Sequence, residues 1–161
     1  MRDPKYFLEK YPEFFNLEAV PNILNDFYFP RGWAQVIEDI FTRLRILWNP
    51  EAGPKPYVLQ VKVKWGDLRF YVRWLEPMSG TELEGPIKET YDIIAWGEAQ
   101  AGSECTNCGR TDILSTVETI SPLCHKCFVL FQRAQLANEA LPERDRRLTF
   151  ELMEDLGVPC D

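Results

Sequence analysis

Between residues 31 and 49 the apolar side chains recur at helical spacing. Trp33, Val36, Ile37, Ile40, Phe41, Leu44, Leu47 and Trp48 form one stripe, with Glu38, Asp39, Arg43 and Arg45 largely on the other side. Asn49-Pro50 and Gly53-Pro54 end the pattern. The period then switches to two. Tyr57, Leu59, Val61, Val63 and Trp65 alternate with polar or outward-facing positions, and Leu68, Phe70, Val72 and Trp74 do the same after Gly66-Asp67. A two-residue turn on Gly66-Asp67 sets Trp65 opposite Leu68, Val63 opposite Phe70 and Val61 opposite Val72. One face of this hairpin is apolar and packs on the long helix. The other carries Lys62, Lys64, Arg69, Tyr71 and Arg73, with Lys64 directly opposite Arg69. Like charges so placed repel, so acidic side chains, those of the last helix among them, are expected to relieve them.

Flanking elements follow from capping signals. Asp3-Pro4 opens a short helix that stops before Pro12. Residues 12–30 carry too many aromatic groups for a loose linker and read as a packed connection. A helix over 86–101 presents Ile87, Tyr91, Ile94, Ala95 and Ala99 as its face and ends at Gly102. Further helices follow over 128–140 and from Pro142 to Gly157, the last with Leu148, Leu152 and Leu156 stacked.

The candidate chemistry lies in Cys105-x2-Cys108 and Cys124-x2-Cys127, separated by fifteen residues. Each C-x-x-C turn aims two thiolates at one point, and two turns complete a tetrahedron around Zn2+. Four thiolates leave no open position for substrate, so the expected zinc is structural. Gly109 follows the first pair, where such a turn needs a positive φ, and Ile113, Leu114, Val117 and Ile120 suit a short hairpin between the pairs. His125, the single histidine, reads as a solvated side chain; Cys160 reads as an unligated thiol near the terminus.

Together these patterns predict an α+β protein. A helix–hairpin–helix core spans 1–102, a zinc-ribbon lobe 103–130, and a C-terminal helical tail packed on the core 131–161. In the core, an antiparallel β-hairpin or small sheet packs on helices.

Composition narrows function mainly by exclusion. The 161-residue chain is 45% hydrophobic, enough to bury a core, and has no run of 18 apolar residues to cross a membrane. The first fifteen residues hold no continuous apolar stretch of a signal peptide, and the cysteines sit at metal spacing, so a reducing cytoplasm is expected. Glu82, Glu84 and Glu89 suit a helix start, and Glu151, Glu154 and Asp155 the wet side of the last helix. No phosphate loop, G-x-S-x-G or H-E-x-x-H recruits an enzyme. The net charge of -7 suits a basic protein partner. Residues 57–74 invert that balance locally at +3, which keeps nucleic acid as the alternative partner, with Tyr71 available to stack on a base. Arg110, Lys126 and Arg133 add little to that footprint from the cysteine region.

The order of motifs resembles a group of small phage and prophage proteins. The resemblance rests on Lys10-Tyr11-Pro12-Glu13-Phe14-Phe15, Gly32-Trp33, the hairpin from Gln60 to Tyr71, and C-x-x-C-G at Cys105 to Gly109 followed by L-C-x-x-C at Leu123 to Cys127. Phe is more usual where Trp65 stands, and the helices from about 132 lie outside the pattern. The resemblance implies a mobile-element accessory protein with a structural zinc and no particular activity. With the charge, it supports a non-enzymatic factor that binds and neutralises a host or toxin protein, in the manner of an inhibitor or immunity protein. The alternative is a nucleic-acid-binding regulator that uses the basic hairpin face.

Overall fold

The computed structural model describes residues 2–49, 55–75, 81–114 and 121–143, with backbone only at 81–83. Helix α1 (Pro4–Lys10) starts as its sequence dictates, with the Asp3 side chain accepting from the Tyr6 amide at 2.9 Å. Three single-turn 3-10 segments follow: Pro12–Phe14, Ile23–Asn25 and Arg31–Trp33. The last runs into helix α2 (Ala34–Leu47). Strands β1 (Tyr57–Lys64) and β2 (Asp67–Arg73) form the antiparallel hairpin, and α3 (Thr81–Gly102) packs on both α2 and β2. The α+β class follows from these elements.

The stripe on α2 is the centre of the core. Trp33, Val36, Ile37, Ile40, Phe41, Leu44 and Trp48 are all buried. Phe41 gathers rings from four different segments, among them Tyr11 at 5.0 Å, Phe27 at 6.2 Å and Phe70 at 5.4 Å. The 12–30 connection is thus part of the core, as its aromatic content implies, with Phe14, Ile23 and Phe27 buried.

Glu38 departs from the expected wet side of α2. It is buried, with Tyr6 Oη donating to its Oε1 at 2.8 Å, Lys10 bonded to the same oxygen, and Arg2 Nε 2.6 Å from Oε2. Burial alone would raise its pKa. The hydrogen bonds from Lys10 and Tyr6 and the charge of Arg2 outweigh that, and the carboxyl is held below its ordinary value. Helix α1 supplies Tyr6 and Lys10, and Arg2 comes from just before it, a tertiary pairing that periodicity on α2 cannot reveal.

The hairpin keeps its predicted faces but not its predicted register. Val63 pairs with Leu68, Val61 with Phe70, Lys62 with Arg69 and Lys64 with Asp67. The turn residues are therefore Trp65 and Gly66, both at positive φ (55° and 83°), the type I′ requirement. The shift is two residues from Gln60 to Lys64, so inward positions there stay inward, whereas Val58, expected outward, turns in. It sets Lys64 against a carboxylate rather than a cation, and it moves Trp65 out of the apolar face to the tip, 80% exposed. The like pair is now Lys62 and Arg69. Arg69 is relieved by Asp67 at 2.9 Å and by Glu98 of α3 at 3.7 Å. The last helix, expected to supply that relief, lies outside the described residues. Leu59 is an extra residue between the Val58 and Gln60 pairings, so Tyr57 and Val58 are both buried.

Helix α3 begins at Thr81, before the expected 86, and carries Pro86 inside it. Its inward face is also different from the expected one. Thr90, Ile94, Gly97 and Ala101 are buried, whereas Tyr91, Ala95 and Ala99 are exposed. Gly97 lets Ile40 approach so closely that a Cβ there would be 2.4 Å from the Ile40 side chain. Thr90 is held by a polar pairing, accepting from the Trp48 indole at 2.7 Å and donating to the Pro86 carbonyl at 2.9 Å. A small residue and a satisfied hydroxyl carry no apolar signal, which is why the hydrophobic pattern points to the wrong face. Glu98 accepts from the Phe70 amide at 2.8 Å and so closes the outer edge of β2.

Strands β3 (Ile113–Leu114) and β4 (Leu123–Cys124) pair antiparallel, and α4 (His125–Glu139) follows directly. The expected boundary at 130/131 falls inside α4. Cys105, Leu123, Cys124, Cys127, Leu130 and Ala134 form a second small core, so α4 packs within the cysteine lobe. Val117, Ile120 and everything from Arg144 onward, including Leu148, Glu151, Leu152, Glu154, Asp155, Leu156 and Cys160, lie outside the described residues.

Candidate metal centre and basic sheet face

The four cysteines converge. The sulfurs of Cys105, Cys108, Cys124 and Cys127 lie within 4.8 Å of one another, and Cys108 Sγ is 3.7 Å from Cys124 Sγ. A tetrahedron with Zn–S bonds of about 2.3 Å has sulfur–sulfur edges of about 3.8 Å, so the cluster has the size of a tetrathiolate site. Cys105, Cys124 and Cys127 are buried, and Cys108 is half-buried.

Local backbone explains the convergence. Gly109 adopts φ +78°, and its amide donates to the Cys105 carbonyl at 2.8 Å while the Cys105 amide donates to the Arg110 carbonyl at 2.8 Å. This closes the first turn. The second pair is held by β4 and the first turn of α4, where no such glycine is needed. Burial pushes the Cys105 thiol up, while backbone N–H groups of Cys124, Cys108 and Asn107 bonded to it act the other way. Asn107, itself buried, donates from Nδ2 to Cys127 Sγ at 3.2 Å. His125 is exposed at the start of α4.

The lobe is fastened to the core at one seam. The Gly32 amide donates to the Thr106 carbonyl at 2.9 Å, and the fully buried Trp33 indole donates to the Glu104 carbonyl at 3.2 Å. Arg31 Nε donates to the Asn107 carbonyl at 2.9 Å and to its Oδ1 at 3.0 Å. Gly32-Trp33 and Asn107 are the residues sequence reading did not connect. Gly-Trp and C-x-x-C-G are both visible as motifs, but nothing in their spacing says that they touch.

The basic hairpin face has gained a neighbour. Phe27 bridges Val61 in parallel, with the Tyr28 amide donating to the Val61 carbonyl at 2.8 Å and the Val61 amide to the Asp26 carbonyl at 2.8 Å. Phe27 is buried and Tyr28 is 67% exposed, so the register sets Tyr28 beside Lys62 on the outer side. Lys62 Nζ lies 5.4 Å from the centre of the Tyr71 ring. The outer face thus carries Tyr28, Lys62, Lys64, Arg69, Tyr71 and Arg73, with Trp65 at its tip. Arg69 is engaged by acids, whereas Lys62, Lys64 and Arg73 make no ion pair among the described residues. A groove of about 510 Å3 is lined by Tyr28, Phe29, Pro30 and Arg31 together with Val63 of β1 and Asn107 of the cysteine lobe; none of the basic residues of the hairpin face lines it. Alternation in Phe27-Tyr28-Phe29 was the available signal for Tyr28, masked by the general aromatic richness of the segment.

No protein-family model, curated protein or solved structure matches the chain. Among the described residues no helix is long and apolar enough to cross a membrane.

Proposed function

We propose that Cys105, Cys108, Cys124 and Cys127 hold a structural Zn2+, and that the protein is a non-enzymatic factor that binds single-stranded nucleic acid on the outer face of its small sheet. The donor set supports zinc: four soft thiolates favour it over cations that prefer oxygen ligands. The lobe has its own small core, and a unit of this size ordinarily needs a metal, a disulfide or a partner to hold its fold. A closed shell of thiolates supplies folding energy and no open coordination position.

The observation that carries the binding reading is Tyr28 beside Lys62, with Tyr71 across β1. Exposed aromatic rings interleaved with cations that make no ion pair among the described residues are the makings of a base-stacking platform, with phosphates on the lysines and arginine. The overall charge of -7 opposes this at long range. Screening over about 8 Å at physiological salt makes the local face weigh more than distant acids once a strand has docked. Fluorescence anisotropy of a labelled single-stranded oligonucleotide, titrated at several salt concentrations, tests the reading. Binding that weakens with salt and is lost on Tyr28→Ala with Tyr71→Ala supports it; no binding at low salt refutes it.

A second reading keeps the mobile-element accessory role and a basic protein as the target to be neutralised. It is favoured by the charge outside residues 57–74, which is -10 against +3 within them. The two separate by where mutation matters. Charge reversal at Lys62 and Lys64 abolishes oligonucleotide binding under the first reading and leaves capture of a basic protein intact under the second.

A further inference from the structure

We propose that Asn107 is a positioning residue of the metal site, and that Arg31 and Asn107 form a polar relay from the Cys127 sulfur to the turn that opens α2. The inference rests on the zinc reading and adds to it a link between metal and core. Arg31 only donates, so its Nε at 3.0 Å fixes the Asn107 carbonyl oxygen on its own side. The amide nitrogen must then face Cys127, where it stands 3.2 Å from Sγ. A thiolate that accepts an N–H bond is a weaker electron donor and a better-oriented ligand. The guanidinium at the far end polarises the amide and strengthens that bond.

The relay also crosses the seam. Arg31 precedes Gly32 and Trp33, which bond to Thr106 and Glu104 of the lobe. Arg31 and Asn107 both line the groove that Tyr28 also lines. Metal at the four sulfurs therefore fixes Asn107, and Asn107 fixes the arginine that lines the groove. Occupancy of the metal site sets the shape of a surface that holds none of its ligands.

The test uses the full chain loaded with Co2+, whose sulfur-to-metal charge-transfer band reports how strongly the thiolates donate. Asn107→Ala is expected to move that band to lower energy and to weaken zinc retention against a chelator by about 10- to 100-fold. Arg31→Ala touches no ligand and lies outside the lobe, so it keeps the proposal falsifiable if the Asn107 variant folds poorly. It should move the band in the same direction by less, and Arg31→Lys should restore part of the shift. A merely structural role would change retention without moving the band. Co2+ bound by the wild type with an unmoved band in both variants overturns the relay and leaves the zinc reading standing. Failure of the wild type to bind either metal overturns both.

Discussion

Gly32 and Gly109 close on each other across the seam between core and lobe. A Cβ on Gly109 would lie 2.8 Å from the Gly32 carbonyl oxygen, and one on Gly32 would lie 2.2 Å from the carbonyl oxygen of Cys105. Both obstacles are backbone, which cannot swing aside as a side chain can. Gly109 in addition holds φ +78°, a conformation that L side chains rarely adopt. The glycine of the first cysteine turn thus serves two needs: it closes the turn, and it lets the lobe sit against the start of α2.

Substitution at this contact should therefore separate lobe from core. Gly32→Ala forces the Thr106 and Cys105 backbone away and removes the 2.9 Å bond from the Gly32 amide. Overpacking of this kind costs about 1–3 kcal/mol. Urea unfolding followed by Trp fluorescence should show a lower midpoint with the metal content unchanged. A wild-type midpoint would mean that the seam is not as tight as this.

Metal removal should act on one part of the protein. Chelation is expected to raise hydrogen exchange over 104–114 and 121–134 while the amides of α2, β1 and β2 stay protected, because the two cores are separate clusters. Equal loss of protection across both would show a single cooperative unit.

Glu38 gives the protein an acid-sensitive element. Its carboxyl titrates below the unfolded value of 4.5, so its contribution is complete above that pH and is lost as pH falls through the depressed folded value. Glu38→Gln should cost about 1–3 kcal/mol at neutral pH, and the gap to wild type should narrow in acid. Paired thermal melts from pH 7 to pH 3 measure it; a gap that stays constant would contradict the assignment.

Trp65 stands in a left-handed turn position with its ring in solvent, a costly place for a large residue. Trp65→Asn should stabilise the fold, by up to about 1 kcal/mol, yet weaken oligonucleotide binding. For the cations, three phosphate contacts at Lys62, Lys64 and Arg73 imply a log–log salt slope near -2, and Lys64→Glu should flatten it by somewhat less than 1. A slope that ignores Lys64 would place the contacts elsewhere.

What the sequence made legible follows from how local each signal is. The α2 stripe, the Asp3 cap, the alternating strands and the cysteine spacing each act within a few residues, and each appears where expected. The hairpin register turned on a choice between two turns that keep the same faces inward, which an alternating pattern cannot tell apart. The face of α3 was set by Gly97 against Ile40 and by Thr90 beneath Trp48, contacts between residues more than forty positions apart. Glu38 looked like an ordinary surface residue, and Asn107 carried no signal at all, because the groups that bond to them come from other segments.

The central claim is that four thiolates close one zinc site and thereby hold the lobe. Native mass spectrometry of the purified chain tests it most directly. One zinc ion per chain is predicted for the wild type, displaced by chelator, and none for Cys105→Ser with Cys124→Ser. A metal-free wild type, or zinc retained by that double variant, would contradict it.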